Sequence, residues 1–305
     1  MSQENGPAHL VQLEAVPALA GLYRRAVRTT VSRRVTRKGR PSVLPAVRHR
    51  VGGVRVELPA LTRFQHLLGS AARDQLPSAY LHTVAFPVAM SVLARPDFPL
   101  PLLGMVHLSN EVRQERQVVA SETLDVVAWS ESLRPHPAGT QVDLVTEIAV
   151  DGQRVWSGRS VYLARGIRSE GAPERSSVER PAFVPPVPTG RWRLDADLGR
   201  RYAAVSGDWN PLHLSGPSAR MLGMKGAIAH GMYLAARMVD EAVPAPSGAL
   251  SWRVDFATPV QLPGTVTLCF ASPAGGDAAP RSRIDVVGWD AKRRRPHFTG
   301  WVGAE

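Results

Sequence analysis

A shift of 142 residues lays one half of this chain on the other, and no other sequence feature narrows its fold as much. Ala85, Met90, Ala94 and Arg95 fall on Ala227, Met232, Ala236 and Arg237, while Leu108, Ser109, Val112, Val118 and Thr123 fall on Leu250, Ser251, Val254, Val260 and Thr265. These identities keep one register through an apolar, Ala-rich stretch and then through strand-like runs, as an internal duplication does. Each copy reads as a buried helix followed by antiparallel strands. The expected architecture is α+β, with two repeats that each wrap a sheet around a central helix.

In the first copy, 51–58 alternates as a strand. Residues 61–72 read as a helix, and 80–93 as a buried helix with Pro87 in its first turn. Strands follow at 105–112, 122–129, 141–150 and 154–164, and Asp151-Gly152 forms a hairpin turn. In the second copy 194–205 reads as a helix. A Gly- and Pro-rich loop separates it from an apolar helix over 228–242, and strands follow over 249–260, 264–271, 282–290 and 296–303. The expected organisation is a basic segment over 1–50, a first repeat over 51–165, a linker rich in Pro, Ser and Gly over 166–190 and a second repeat over 191–305.

The charge is concentrated at one end. Residues 1–50 hold nine arginines and one lysine against Glu4 and Glu14, a net +8 of the chain's +11. No aromatic residues are interleaved with these charges in the manner of a nucleic-acid platform, so no nucleic-acid partner is expected. Leu10, Leu13, Val16, Leu19 and Leu22 recur at helical spacing ahead of the arginines. They suggest a short amphipathic helix, with peripheral membrane contact through 1–50 as its minor reading. No apolar run is long enough for a membrane span and no signal-peptide pattern is present, so a cytoplasmic protein is expected. The single cysteine, Cys269, excludes an intramolecular disulfide framework, and the histidines lack metal-ligand spacing.

The stretch carrying chemistry is YAAVSGDWNPLHLSGPSARMLGMKGAIAHGM, Tyr202 to Met232. Gly207 and Pro211 favour a tight loop in which Asp208 and His213 converge on one small molecule, as general acid–base addition or elimination of water requires. Ile228, Ala229, His230 and Gly231 open the apolar helix, whose early amides lack internal partners and carry positive partial charge. Such amides suit an enolate oxygen. Taken singly, each piece also reads as ordinary structure: an Asx turn, a structural histidine, a packing glycine.

Together, Tyr202, Ala203, Ser206, Gly207, Asp208, Asn210, Pro211 and His213, followed by Ile228–Met232, resemble the paired motif of the MaoC-like hydratases and dehydratases. The first half, through Thr83–Met90 and Phe98-Pro99, resembles the N-terminal repeat of two-domain actinobacterial 3-hydroxyacyl-thioester dehydratases. The resemblance implies a double hot dog fold with one intact site, because the first repeat lacks the Asp-x-Asn-Pro-x-His loop and has Val88 and Ala89 where the second has His230 and Gly231. It implies reversible loss of water from a (3R)-hydroxyacyl thioester of CoA or acyl carrier protein. Asp208 and His213 would move the protons, Asn210 would hold the loop, Ser206 would hydrogen-bond Asp208, and amides near Gly231 would polarise the thioester carbonyl. Ile228, Ala229 and His230 would contact substrate, Phe86, Val88 and Val92 would line the acyl tunnel between the repeats, and Lys225 would meet the pantetheine or its phosphate. No metal or redox cofactor is implied. The alternatives are thioester hydrolysis and a non-catalytic acyl-binding subunit, and either a monomer or a homodimer fits.

Overall fold

The computed structural model describes residues 9–26, 43–168, 182–221, 223–243, 248–273 and 283–304. In chain order these form β1 (His9–Gln12), α1 (19–26), β2 (Val47–Val54), α2 (Leu58–Leu68), α3 (Ser78–Leu93), β3 (Met105–Gln114), β4 (Leu124–His136), β5 (Gly139–Val150) and β6 (Gln153–Arg165). There follow β7 (Gly190–Leu194), α4 (Leu198–Ser206), α5 (Pro211–Leu214), α6 (Gly216–Met221), α7 (Gly231–Ala242), β8 (Leu250–Phe256), β9 (Gly264–Ala271), β10 (Arg283–Asp290) and β11 (Arg295–Ala304). Most of the basic segment, 27–42, and most of the linker, 169–181, lie outside the described residues.

The contacts divide the chain into two units, and the division does not follow the halves of the sequence. One unit comprises 1–55, 83–107 and 123–178; the other comprises 56–82, 108–122 and 179–305. In the first, the strand order is β1-β2-β4-β5-β6, antiparallel except for the parallel pairing of β1 with β2. Buried Leu124, Val126, Ala128 and Ser130 alternate along β4 with less buried neighbours, the period of a strand with one core face. Asp151 and Gly152 both have positive φ, 50° and 77°, as a two-residue hairpin demands. The buried Asp143 carboxylate is compensated by Arg134, which grips it with two nitrogens at 2.5 and 2.9 Å, and by Arg159 at 2.9 Å.

A Ser–His contact in this unit has the wrong polarity for a nucleophile. Ser91 Oγ donates to Val88 O at 2.6 Å, so the His49 Nδ1–H must donate to Ser91 at 2.6 Å. The imidazole pins β2 to α3 and takes no proton from the hydroxyl.

The second unit has the order β3-β8-β11-β10-β9-β7, antiparallel throughout. Glu111 on β3 pairs with Arg253 on β8, its equivalent 142 residues on, and their side chains form an ion pair at 2.9 Å. The equivalent strands of the two repeats therefore meet antiparallel about that point. Helix α7 lies against β7, where the Trp192 indole N–H reaches the Glu241 carboxylate at 2.9 Å. Helix α2 packs on α4 through Phe64 and Tyr202, whose ring centroids are 6.4 Å apart.

Three local expectations are corrected. Leu10 lies in β1 and Leu13 just beyond it, not in a helix, because parallel pairing with β2 claims that backbone; the helix is confined to 19–26, where Leu19, Leu22 and Ala26 are buried. Pro87 sits in the interior of α3, not in its first turn. The helix continues past the missing N–H because it is hydrophobic all round and held by packing on several sides. Pro211 does not exclude a helix: it occupies the first turn of the one-turn α5, where its missing N–H costs nothing.

Burial lowers the pKa of five histidines: His49, His82, His213, His230 and His297. For the fully buried His82 it falls to about 4. A depressed histidine is neutral in the fold and protonates first in the unfolded chain, so its stabilisation is complete above about pH 6.5 and is lost as pH falls towards the folded value. His82 alone is worth about 3 kcal/mol across that window. Thermal unfolding followed from pH 8 to pH 4 should show a midpoint that drops below pH 6.5; a flat midpoint would contradict this assignment.

Candidate active site

The site is built on the turn between α4 and α5 and on the start of α7, all within the second unit. Helix α4 ends at Gly207, whose φ of 73° is left-handed and open to glycine at no steric cost. Ser206 Oγ donates to Tyr202 O at 2.8 Å and accepts the Asp208 N–H at 3.2 Å. Asp208 Oδ1 accepts the Asn210 N–H at 3.3 Å, and Asn210 Oδ1 accepts the Leu212 N–H at 3.2 Å, capping α5. The Asx turn and the cap are therefore both present, and they set the carboxylate at one end of a short turn and the imidazole of His213 at the other.

His213 Nδ1 donates to Ile228 O at 2.8 Å, which leaves Nε2 as the free lone pair. Burial is the main cause of its lowered pKa, opposed by the charge of Asp208 and by the bond to Ile228. The ring stacks on His230 with centroids 3.7 Å apart and planes 25° apart. His230 Nε2 in turn donates to Asp208 O at 3.0 Å and lies 3.8 Å from Asp208 Oδ2. One donor atom from each of Asp208, His213 and His230 falls within 4.8 Å of the others. Such a trio has metal-ligand spacing, but the in-plane lone pairs of two nearly parallel rings run side by side and do not converge. The arrangement suits proton transfer better than chelation.

The start of α7 differs from the expectation. The helix begins at Gly231, not Ile228, and the Ile228 and Ala229 amides are already bonded to Leu212 O and Val260 O at 3.2 and 2.9 Å. Neither is free to polarise a carbonyl. His230 is the N-cap but makes no side-chain cap bond, and among the described residues the Gly231 and Met232 amides form no hydrogen bond. Those two remain for an anionic oxygen. A Cβ on Gly231 would stand 2.9 Å from Phe256 Cζ, so the glycine lets α7 start against that ring.

Of the other residues singled out in the sequence, Lys225 is exposed in the loop before Ala227. Phe86 and Val88 lie on α3 in the first unit, with Val88 fully buried. Two contributors escaped the sequence reading. Phe256 carries no local signal, since it arrives from β8. Gly199 does: it is an isolated glycine in a helical pattern, in the first turn of α4, and such a glycine often has a packing reason. A Cβ there would lie 1.8 Å from His213 O, so α4 carries α5 directly on its backbone.

The MaoC-like domain family matches residues 175–274. The 3-hydroxyacyl-thioester dehydratase X of Mycobacterium tuberculosis is 32% identical over 235 residues, covering 75% of this chain and 79% of that protein. The crystal structure of HtdX from Mycobacterium tuberculosis superposes with a TM-score of 0.72 at 28% identity, covering 85% of this chain and all of the other. A MaoC-like dehydratase from Phytophthora capsici, at 17% identity, shares the fold with a TM-score of 0.61 over 85% of this chain and 95% of its own.

Proposed function

The chain belongs to the MaoC-like dehydratase family, and from that membership we propose that Asp208 and His213 catalyse reversible loss of water from a 3-hydroxyacyl thioester. The protein is a hydro-lyase of the hydratase/dehydratase class with a double hot dog fold. The observation that carries the assignment of residues is the convergence of a carboxylate and a tautomer-fixed imidazole beside two unbonded helix amides.

In dehydration the C2–H bond breaks, its electron pair forms the C2–C3 double bond, and the C3 hydroxyl leaves as water after taking up a proton. Asp208 and His213 act as a coupled pair that holds one exchangeable proton between them: the member without it accepts the C2 proton while the member with it protonates the departing oxygen, and the pair ends with its one proton on the other member. Charge that develops on the thioester oxygen is met by the Gly231 and Met232 amides. Asn210 holds the loop as the α5 cap, and Ser206 fixes the backbone of Asp208. The substrate class is a (3R)-hydroxyacyl or trans-2-enoyl thioester of CoA or acyl carrier protein.

Incubation with a trans-2-enoyl-CoA should consume enoyl absorbance without releasing free thiol; release of thiol would make the protein a thioesterase. Burial holds the pKa of His213 below its ordinary value, which favours the neutral imidazole. The acid limb of kcat/KM should therefore lie below pH 6.5, and a limb at or above that value would contradict a neutral imidazole in the site.

A further inference from the structure

Beside the proposed pair stands a second imidazole that the mechanism above does not use. His230 is 3% exposed, with its ring sandwiched between the face of His213 at 3.7 Å and the ring of Tyr202 at 4.8 Å. Its Nε2–H is committed to the carbonyl of Asp208, burial favours the neutral ring, and Nδ1 is buried without a hydrogen-bond partner.

The duplicated helix supplies an internal control. The equivalent position in the first repeat is Val88, fully buried, in a copy that lacks the Asp-x-Asn-Pro-x-His loop. This place on the helix accepts hydrocarbon where there is no chemistry to support. Where there is, it carries a side chain that touches both members of the pair: a donor to the main chain of Asp208 and a flat face against His213. It also forgoes capping α7, which leaves the Gly231 and Met232 amides open.

We propose that His230 is the positioning residue of this site, holding Asp208 by its carbonyl and His213 by its ring face so that the two reach the same water. The inference rests on the dehydratase reading of Asp208 and His213. It assigns His230 to alignment of that pair, and predicts an effect on kcat with little effect on substrate affinity.

Three variants separate the two contacts. His230→Phe keeps the face and loses the donor; His230→Val copies the first repeat and loses both; His230→Gln keeps a donor and loses the face. With a trans-2-enoyl-CoA as substrate, Phe and Val should lower kcat roughly 10- to 100-fold with KM within about threefold, the scale of a misplacement near 1 Å. Gln should retain more activity than Val. The groups facing His230 are Asp208, His213 and Tyr202. In the Phe variant Asp208 is released, its raising influence on His213 weakens, and the acid limb of kcat should move to lower pH. Folded variants with wild-type kcat and an unmoved limb would overturn the proposal while leaving the dehydratase reading intact, as would a loss that appears in KM alone. If the wild-type protein itself fails to hydrate the enoyl thioester, it is the dehydratase reading that falls. Should Val destabilise the fold, the Phe and Gln pair still decides, since Phe keeps the ring face without the donor and Gln keeps a donor without the face.

Discussion

Asp208→Asn is expected to lower turnover of an enoyl or 3-hydroxyacyl thioester about a thousandfold while leaving the thermal midpoint nearly unchanged. The amide is isosteric, and its oxygen can still accept the Asn210 N–H, so the turn survives. What disappears is the ability to hold and release a proton, which in general acid–base catalysis is worth about 10²–10⁴-fold. A second effect follows from charge. The Asp208 carboxylate raises the pKa of His213 against the dominant effect of burial, so its removal should move the residual acid limb to lower pH. Steady-state rates across pH, alongside unfolding midpoints, test both points. Asp208→Asn turning over at more than a tenth of the wild-type rate would remove the carboxylate from the mechanism.

The next largest effect is expected at a residue that touches no substrate. Gly199→Ala would place a methyl 1.8 Å from the carbonyl oxygen of His213 and 2.8 Å from its carbonyl carbon. Neither atom can swing aside as a side-chain tip does, so α5 must move away from α4 by more than 1 Å and take His213 with it. A displacement of that size costs about 100-fold in rate. Stability should fall as well. Alanine's advantage over glycine is at most about 1 kcal/mol, the value for a helix interior, and Gly199 lies in the first turn of α4, whereas overpacking a filled interior costs roughly 1–3 kcal/mol. A variant more stable than wild type and fully active would show that α4 does not set the position of the imidazole.

These two residues mark the reach of the sequence. Asp208 stood out in one because acid, amide, proline and imidazole crowd into six positions, and local turn chemistry is written in short-range order. The Asx turn, the Asn210 cap and Pro211 at the first turn of α5 are all interactions between neighbours in the chain, as is the Asp151-Gly152 hairpin. The strands were legible for a related reason: alternation is a property of one segment facing one core. Leu10 and Leu13 misled because helical spacing over a few residues is a weak preference, and parallel pairing with β2 offered that backbone a full set of partners.

From residue order alone followed the duplication, the strands, the Asp-x-Asn-Pro-x-His loop and the absence of that loop from the first copy. Tertiary structure alone decided which amides of the α7 entry stay open, since Ile228 and Ala229 spend theirs on Leu212 and Val260, residues distant in the chain. It alone brought His230 onto His213, Phe256 onto Gly231 and Gly199 beneath the α5 backbone. The physical reason is common to all of these. A hydrogen-bond donor has one partner to give itself to, and a volume admits one set of atoms, and which partner or which atoms is settled only when remote segments compete for the same place.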